Sequence, residues 1–592
     1  MKKRFIAVLL TAVVGCTSSA FAGCTVGNDN DGTKPEHTHS FTNYVSNNDA
    51  NCYTQGTKTA QCDYCYVKDT IPDETTVGGH VFSDGVCVKC HNPLLEYTLG
   101  EDGESYSVNI TKTGICFEKE ITVPAEYNGK PVTTIPEHGF SSLFHTEKIT
   151  LPEGLTTIND YAFAYSKVLK EVSIPDSVEK IGFDAFGGCE SLQSFTFPRN
   201  LTEIETSLFN DCKSLTAVNI PEWITRINLN AFNGLSSLEE ITVSADNTAY
   251  KSVDNCLLTK DGKTMLLGCK NSRIPDGVEV IEDAFYGCVS LKQITLPQSL
   301  VELGGFTFYG CEALESIVLP TNLKVIARHT FDGCTSLKQI HLPASLQEIE
   351  YRLFADCANL DKITVDPNNA KFRSIDNCLL SKDCKILYEG SNKSVIPHVV
   401  EVISDQAFAG RKGLQSITLP ASIKQIGSGA FYGCEALTEV TLPDGLERLE
   451  GGIFTECPNL KYNVYGNMKY LGSATNPYFA LISEEDRYAT SYEIHQDTKI
   501  ISGRAFEWCN KVESLTVPDG VIYIGLFSFS CDSLKEISLG KSLQYIDVFA
   551  FYDSPLTKFE FRGTEEEWNL IEKSHQWSDG MPQNLTITFK NN

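Results

Sequence analysis

The stretch that decides the fold is Phe285-Tyr286-Gly287-Cys288-Val289-Ser290-Leu291-Lys292-Gln293-Ile294-Thr295-Leu296-Pro297-Gln298-Ser299-Leu300, which begins again 23 residues later at Phe308-Tyr309-Gly310-Cys311. The same step of 23 joins Phe140, Phe163, Phe186, Phe209 and Phe232, then Phe285 to Phe354 through Phe308 and Phe331, then Phe408, Phe431 and Phe454. Phe506, Phe529 and Phe551 close the array, the last step being 22. A fixed period of this size marks units that bury their apolar faces only against one another. Inside each unit Leu-x-x-Ile-x-Leu alternates with the period of a strand. Proline then ends that strand, as at Pro152, Pro175, Pro297, Pro320, Pro343 and Pro420, because it has no N–H to give to a ladder. A second short apolar step, such as Leu300 and Leu303, forms the other wall before the next Phe. The expected fold is mainly β, a solenoid of 23-residue coils. At roughly 4.8 Å per coil its fifteen coils extend on the order of 70 Å.

Ten cysteines share one slot of the unit: Cys189, Cys212, Cys288, Cys311, Cys334, Cys357, Cys434, Cys457, Cys509 and Cys531. Stacking places them in a column. Ser166 occupies the same slot, so the reading is a reduced interior row in which Cys serves as a small apolar side chain. Disulfides between coils are the alternative. Three interruptions of about 30 residues follow Phe232, Phe354 and Phe454. The first two share a phrase, Ser252-Val253-Asp254-Asn255-Cys256-Leu257-Leu258 and Ser374-Ile375-Asp376-Asn377-Cys378-Leu379-Leu380. A two-strand hairpin turning at Lys260-Asp261-Gly262 is the expectation for this phrase. Whether the hairpins project as binding elements or only enlarge a coil stays open.

The F-x-G-C-x-S-L-x-x-I-x-L-P phrase is similar to that of the BspA-type leucine-rich repeat family of bacterial surface proteins, over residues 95 to about 590. The resemblance implies a leucine-rich-repeat solenoid and a binding or adhesion role toward extracellular proteins or glycans, such as host matrix, mucins or other cells. This sequence places Cys before the strand, where the general leucine-rich pattern has Asn or Cys after it, so the curvature of other leucine-rich proteins is not implied.

Lys2, Lys3 and Arg4 precede an apolar run from Phe5 to Val14, built like a bacterial secretory signal. Ala20-Phe21-Ala22 satisfies the rule for ordinary cleavage after Ala22, while Phe21-Ala22-Gly23-Cys24 and Val13-Val14-Gly15-Cys16 both resemble a lipobox. Lipidation at Cys24 is preferred, because a polar tether follows it directly. Membrane association is then expected only through that N-terminal lipid anchor.

Between residues 37 and 91, His39, Cys52, Cys62, Cys65, His80, Cys87 and Cys90 fall in metal-ligand spacing, flanked by His37 and His91. Two CxxC knuckles resemble a zinc ribbon, each presenting two thiolates to a tetrahedral ion. The set also divides into His39/Cys52/Cys62/Cys65 and His80/Cys87/Cys90 with a further histidine. One or two structural zinc ions are the reading, with disulfides, the default of an exported protein, as the alternative. A closed four-ligand site leaves no position for catalysis.

The organisation is therefore a signal peptide over 1–23, a tether over 24–36, the Cys/His module over 37–93 and a capping coil over 95–139. The solenoid follows over 140–560, with insertions near 244–274, 366–396 and 463–495, and a cap over 561–592 in which a polar helix shields the exposed end. A net charge of −27 without a basic stripe argues against nucleic acid as a partner. No GxSxG, HExxH or Walker loop is present, and the histidines outside the module occupy different registers, so no enzyme is expected. The residues after the strand Ile, among them Thr150, Ser173, Thr196, Thr295, Thr418 and Thr516, form a Thr/Ser row. On that row no aromatic cluster marks a binding hot spot.

Overall fold

The computed structural model describes residues 40–47, 57–61, 68–72, 82–83, 86–87, 94–111, 118–228, 230–507 and 509–589. Two units separate, one spanning 1–96 with 110–119 and the other 97–109 with 120–592. In the first, strands Val45–Ser46, Thr57–Gln61 and Lys68–Pro72 form an antiparallel sheet, and Phe82–Ser83 pairs with Val86–Cys87. Cys87 is placed there by its backbone alone. His39, Cys52, Cys62, Cys65, His80 and Cys90, with Cys24 and Cys16, lie outside the described residues.

The second unit is built from coils, and each coil has three sides. One side is the strand that ends at proline, seen where Ala217–Ile220 pairs in parallel with Glu240–Val243 and Gln339–Leu342 with Lys362–Val365. After it a tight turn closes from Pro to Leu, as where Leu323 N–H donates to the Pro320 carbonyl at 3.2 Å. The second side is a two-residue strand, and Val280–Ile281, Glu302–Leu303, Val325–Ile326 and Glu348–Ile349 run parallel in register. Apolar residues of both strand types point inward: Ile281, Leu303 and Ile326 are wholly buried. The third side is the turn that carries the anchor Phe. Its N–H donates to the next coil, from Phe308 to the Thr330 carbonyl at 2.8 Å and from Phe331 to Leu353 at 3.0 Å.

The anchors stack as a column. Phe285–Phe308, Phe308–Phe331 and Phe331–Phe354 have ring centroids 5.3, 5.6 and 5.6 Å apart. Among the described residues no ring pair joins Phe232 to Phe285, Phe354 to Phe408 or Phe454 to Phe506, so each interruption breaks the column.

The cysteine slot has a specific task. Cys311 Sγ donates to the Phe285 carbonyl at 3.2 Å, Cys334 to Phe308 at 3.2 Å, and Cys531 to Phe506 at 3.0 Å, each reaching back to the previous coil. Ser166 does the same to the Phe140 carbonyl at 3.1 Å. The slot therefore needs a small side chain with one donor, which both residue types supply. All ten column cysteines are free and buried, as are Cys256, Cys269, Cys378 and Cys384. Desolvation pushes the Cys189, Cys288 and Cys434 thiols up to about 12.

The interruptions carry more structure than the expected two-strand hairpin. Tyr250–Val253, Cys256–Thr259 and Thr264–Leu267 form a three-stranded antiparallel unit. The extra turn is Asp254-Asn255, both left-handed at φ 49 and 59, the geometry Asp and Asn tolerate in a tight hairpin. The second interruption repeats it with Phe372–Ile375, Cys378–Ser381 and Ile386–Glu389. In the third, Asn463–Tyr465, Met468–Leu471 and Ala480–Glu484 have the same order with a longer second connection. In all three the last strand pairs in parallel with the next coil, at Met265↔Ile281, Leu387↔Ile403 and Leu481↔Ile501. Each interruption is thus an enlarged coil with one hairpin added.

At the C-terminal end the segment after Phe561 is a further coil carrying the expected helix. Glu572–Lys573 extends one sheet beside Tyr545–Ile546, and Ile587–Phe589 extends the other beside Lys558–Phe561. Helix Glu565–Leu570 opens with a capping box between Thr564 and Glu567. It buries Trp568 against Phe559, Phe561 and Trp577. Among the described residues no helix is long and apolar enough to cross a membrane.

Candidate functional site

Two surfaces of the solenoid carry exposed chemistry in rows. The first is the strand face. Ser173, Thr196, Asn219, Thr295, Val318 and His341 are exposed in successive coils, and Thr150, Thr242 and Thr364 are half-buried. Neighbouring coils are tied across this face by ion pairs, such as Lys148–Glu171 at 2.9 Å, Lys535–Glu513 at 2.8 Å and Lys558–Glu536 at 3.2 Å. Exposed pairs of this kind add little to stability singly. Two open grooves lie on the face. One, of 430 Å3, runs past Thr418, Glu439, Thr441 and Asp444. The other, of 420 Å3, runs past Thr516, Glu536, Ser538, Lys558 and Arg562. Arg562 is held there by the Asp519 carboxylate at 2.9 Å and Ser538 Oγ at 3.0 Å.

The second surface is the corner before the anchor, which composition and the strand row did not reveal. Two residues ahead of each anchor the backbone enters the left-handed region, at His138, Tyr161, Phe306, His329, Arg352 and Phe527 among others. Such a conformation is costly for a residue with a Cβ. Here the coil-to-coil ladder fixes it, since Phe306 N–H donates to the Arg328 carbonyl at 3.0 Å. The turn brings this position beside the residue that follows the anchor, and where both are aromatic a ridge forms. Phe306 stacks on His329 with centroids 4.6 Å apart, Tyr286 on Tyr309 at 4.7 Å, and His329 meets Tyr351 edge-on at 5.7 Å. Tyr351 is 55% exposed. Shorter ridges stand at His138, Tyr161 and Phe183 and at Phe527, Phe549 and Tyr552. The signal was in the sequence as aromatic residues two or three before, or one after, the anchor in consecutive coils.

Polar groups lock the central ridge. Asp332 is buried and accepts from His329 Nδ1 at 2.9 Å and from Arg352 Nη2 at 3.1 Å. Burial, with Glu282 close by, pushes the Asp283 carboxyl up to about 6, while Arg328 opposes the shift. The same desolvation raises the Tyr286 hydroxyl to about 12. The stacked rings occupy one another's faces, so the ridge offers partners edges, hydroxyls and the open side of Tyr351. His138 shares the register of His329 but belongs to another coil, while His341 and His495 sit in other registers, with His495 stacked on Tyr478 at 3.9 Å and His341 bonded to Thr364 Oγ1 at 3.0 Å. Among the described residues no group of His, Cys, Asp and Glu is arranged to hold a metal ion.

Comparison with known proteins bears on the same residues. Residues 133–257, 266–386, 387–476 and 485–570 match the BspA type leucine rich repeat region in six copies. A search of curated proteins finds no match. Among solved structures, a leucine-rich repeat protein from Eubacterium ventriosum is 24% identical, covering 63% of this chain and 94% of its own, with a TM-score of 0.41. A leucine rich cell surface protein from Faecalibacterium prausnitzii is 20% identical over 82% of this chain and 97% of its own, TM-score 0.29. The pneumococcal vaccine antigen PcpA is 16% identical over 87% of this chain and 100% of its own, TM-score 0.25.

Proposed function

The chain belongs to the BspA-type leucine-rich repeat family, and on that premise we propose that it is an exported bacterial surface protein that binds an extracellular protein ligand through its repeat surface. The observation that carries this reading is the aromatic ridge of Tyr286, Phe306, Tyr309, His329 and Tyr351 on a rigid corner of four coils. Aromatic side chains held in place by stacking bring large contact area at little entropic cost, the property of interface hot spots. Apart from Tyr351 the ring faces of the ridge are stacked against one another, which favours a protein partner over a glycan, whose sugars need free ring faces. Surface exposure is supported by the secretory pattern of Lys2 to Val14, with Cys24 as the anchoring residue. The Cys/His module, with zinc on His39, Cys52, Cys62, Cys65, His80, Cys87 and Cys90, is a structural element of that surface protein.

The test immobilises the mature protein against matrix proteins, mucins and a glycan panel. A saturable protein ligand lost in Tyr351→Ala and Tyr309→Ala, with the melting curve retained, is the expected result. Binding that is indifferent to both substitutions removes the ridge from the site. Silence across the panel from folded protein favours a passive surface spacer.

A further inference from the structure

The three interruptions break the Phe column at equivalent places, and the crevice each break leaves is finished differently. At the first, Leu267 packs near Phe232 and Asp283 and the remaining cavity is only 20 Å3. At the second, the position of Leu267 is taken by Glu389 and the cysteine slot by Arg411, and these two wholly buried side chains fill the break. At the third, strand pairing of Leu481 with Ile501, against Met265 with Ile281, places Ser483 where Leu267 and Glu389 stand. The small side chain leaves an open cleft of 320 Å3 between Phe454 and Gly503. That volume lies at the lower end of small-molecule sites, at roughly 300–1,000 Å3.

The cleft has a defined chemistry. Glu484 and Glu507 are mostly covered, with side-chain exposures of 15% and 19%, whereas Arg487 and Arg504 are more than half exposed at 58% and 51%. Arg487 stands 3.7 Å from Glu484, too far for a hydrogen bond, and Arg504 stands 3.3 Å from Glu507. Burial raises the Glu484 carboxyl. Tyr462 lines the wall, and among the described residues its hydroxyl has no hydrogen-bond partner. Phe454, Ile453 and Ile482 supply the apolar side. Carboxylates inside, guanidiniums at the rim and no net charge describe a host for a dipolar guest. Each glutamate has an arginine beside it, Arg504 donating to Glu507 at 3.3 Å, so a guest that carries both charges meets groups of both signs, whereas a cation or an anion alone meets only one pair and faces repulsion from the other.

We propose that the third junction is a binding site for a small zwitterion, an α-amino acid with an apolar side chain, its ammonium toward Glu484 and Glu507 and its carboxylate toward Arg487 and Arg504. The test titrates the full mature chain with L-leucine and L-phenylalanine by calorimetry and saturation-transfer NMR. Separate arms carry isocaproate, isoamylamine and glucuronate. Saturable binding of the amino acids, absent for the acid-only and amine-only probes, is expected. Arg487→Gln and Arg504→Gln should each weaken it at least about tenfold, the loss of one charge-assisted contact. Ser483→Leu copies the filled first junction and should abolish binding with the melting temperature kept or raised. Absence of binding by either amino acid, binding untouched by Ser483→Leu, or preference for glucuronate each overturns the proposal.

Discussion

Arg411 and Glu389 provide a perturbation whose size follows from comparing two junctions of one molecule. Arg411 stands in the cysteine slot and is wholly buried. Its guanidinium donates to the carbonyls of Phe354 at 2.6 Å, Gly390 at 2.7 Å and Ala409 at 3.0 Å, and reaches Glu389 Oε2 at 3.4 Å. Glu389 Oε1 in turn accepts the Leu353 N–H at 2.9 Å. The first junction does the same work with Leu267 and Cys288, both buried. Either single substitution, Glu389→Leu or Arg411→Cys, strands one buried charge and should cost about 3–5 kcal/mol. The double variant recreates the first junction. A residual cavity like the 20 Å3 found there costs about 0.5 kcal/mol at ~24 cal/mol per Å3. The orphaned Leu353 N–H adds about 1–3 kcal/mol. The pair should therefore couple by about 3 kcal/mol or more. Solenoids need not unfold in one step, so the readout is hydrogen exchange of amides around Phe354 and Phe408 at pH 8, where Glu389 is ionised. Burial lifts the Glu389 carboxyl to about 7, above its unfolded value. The folded chain then binds more protons than the unfolded one between those two values. Stability at this junction is full at acid pH and is lost as pH rises through about 7. The double variant should flatten that slope. Additive single effects, or a slope unchanged in the double variant, would refute the reasoning.

The other expectations are these. Cys311→Ser should cost little, because Ser166 already makes the slot's hydrogen bond, whereas Cys311→Val removes one of the two hydrogen bonds that the Phe285 carbonyl accepts, the Cys288 N–H at 3.0 Å remaining, and should lower local stability by about 0.5–1.5 kcal/mol in the same exchange experiment. With several thiols pushed up to about 12, the buried cysteines of the native chain should resist iodoacetamide at pH 8 and react once denatured; rapid native labelling of Cys189 or Cys288 contradicts the column. Raising NaCl from low to physiological should raise the melting temperature modestly by screening a net charge of −27, and a clear fall would contradict this. Metal analysis of the purified module should find one or two zinc ions released by chelator; cysteines fully oxidised without metal would assign the disulfide alternative.

How far the fold was legible follows from what a period can encode. Phe spaced at 23 residues, the inward Ile and Leu and the terminating Pro each state a local preference, and stacking makes all of them agree, so the two walls and the Phe column were readable. The cysteine column was readable as a row, but its cause was not: only the three-dimensional path shows each thiol under the previous coil's carbonyl. The ridge escaped for a related reason. Phe306, Tyr309 and His329 are unremarkable at their spacing until a left-handed corner folds the positions before and after the anchor onto one edge.

The junctions lie furthest from what periodicity conveys, and for that reason they carry the individuality of the chain. Within a run of regular coils every position meets its own copy 22 or 23 residues away, so side chains are selected in columns and a departure such as Arg411 looks like an error in the pattern. An enlarged coil breaks this self-matching. The strand ending at Leu267, Glu389 or beyond Ser483 meets residues that have no copy in the regular repeat, and three solutions coexist at one geometric problem: apolar filling, a buried ion pair and an open cleft. Regular coils can vary only their exposed rows without disturbing neighbours on both sides. A junction can change its interior, because the Phe column is already discontinuous there. Specific chemistry in this solenoid should therefore be sought first at the three breaks and on the corner ridges, and last on the even Thr/Ser face that the repeat itself dictates.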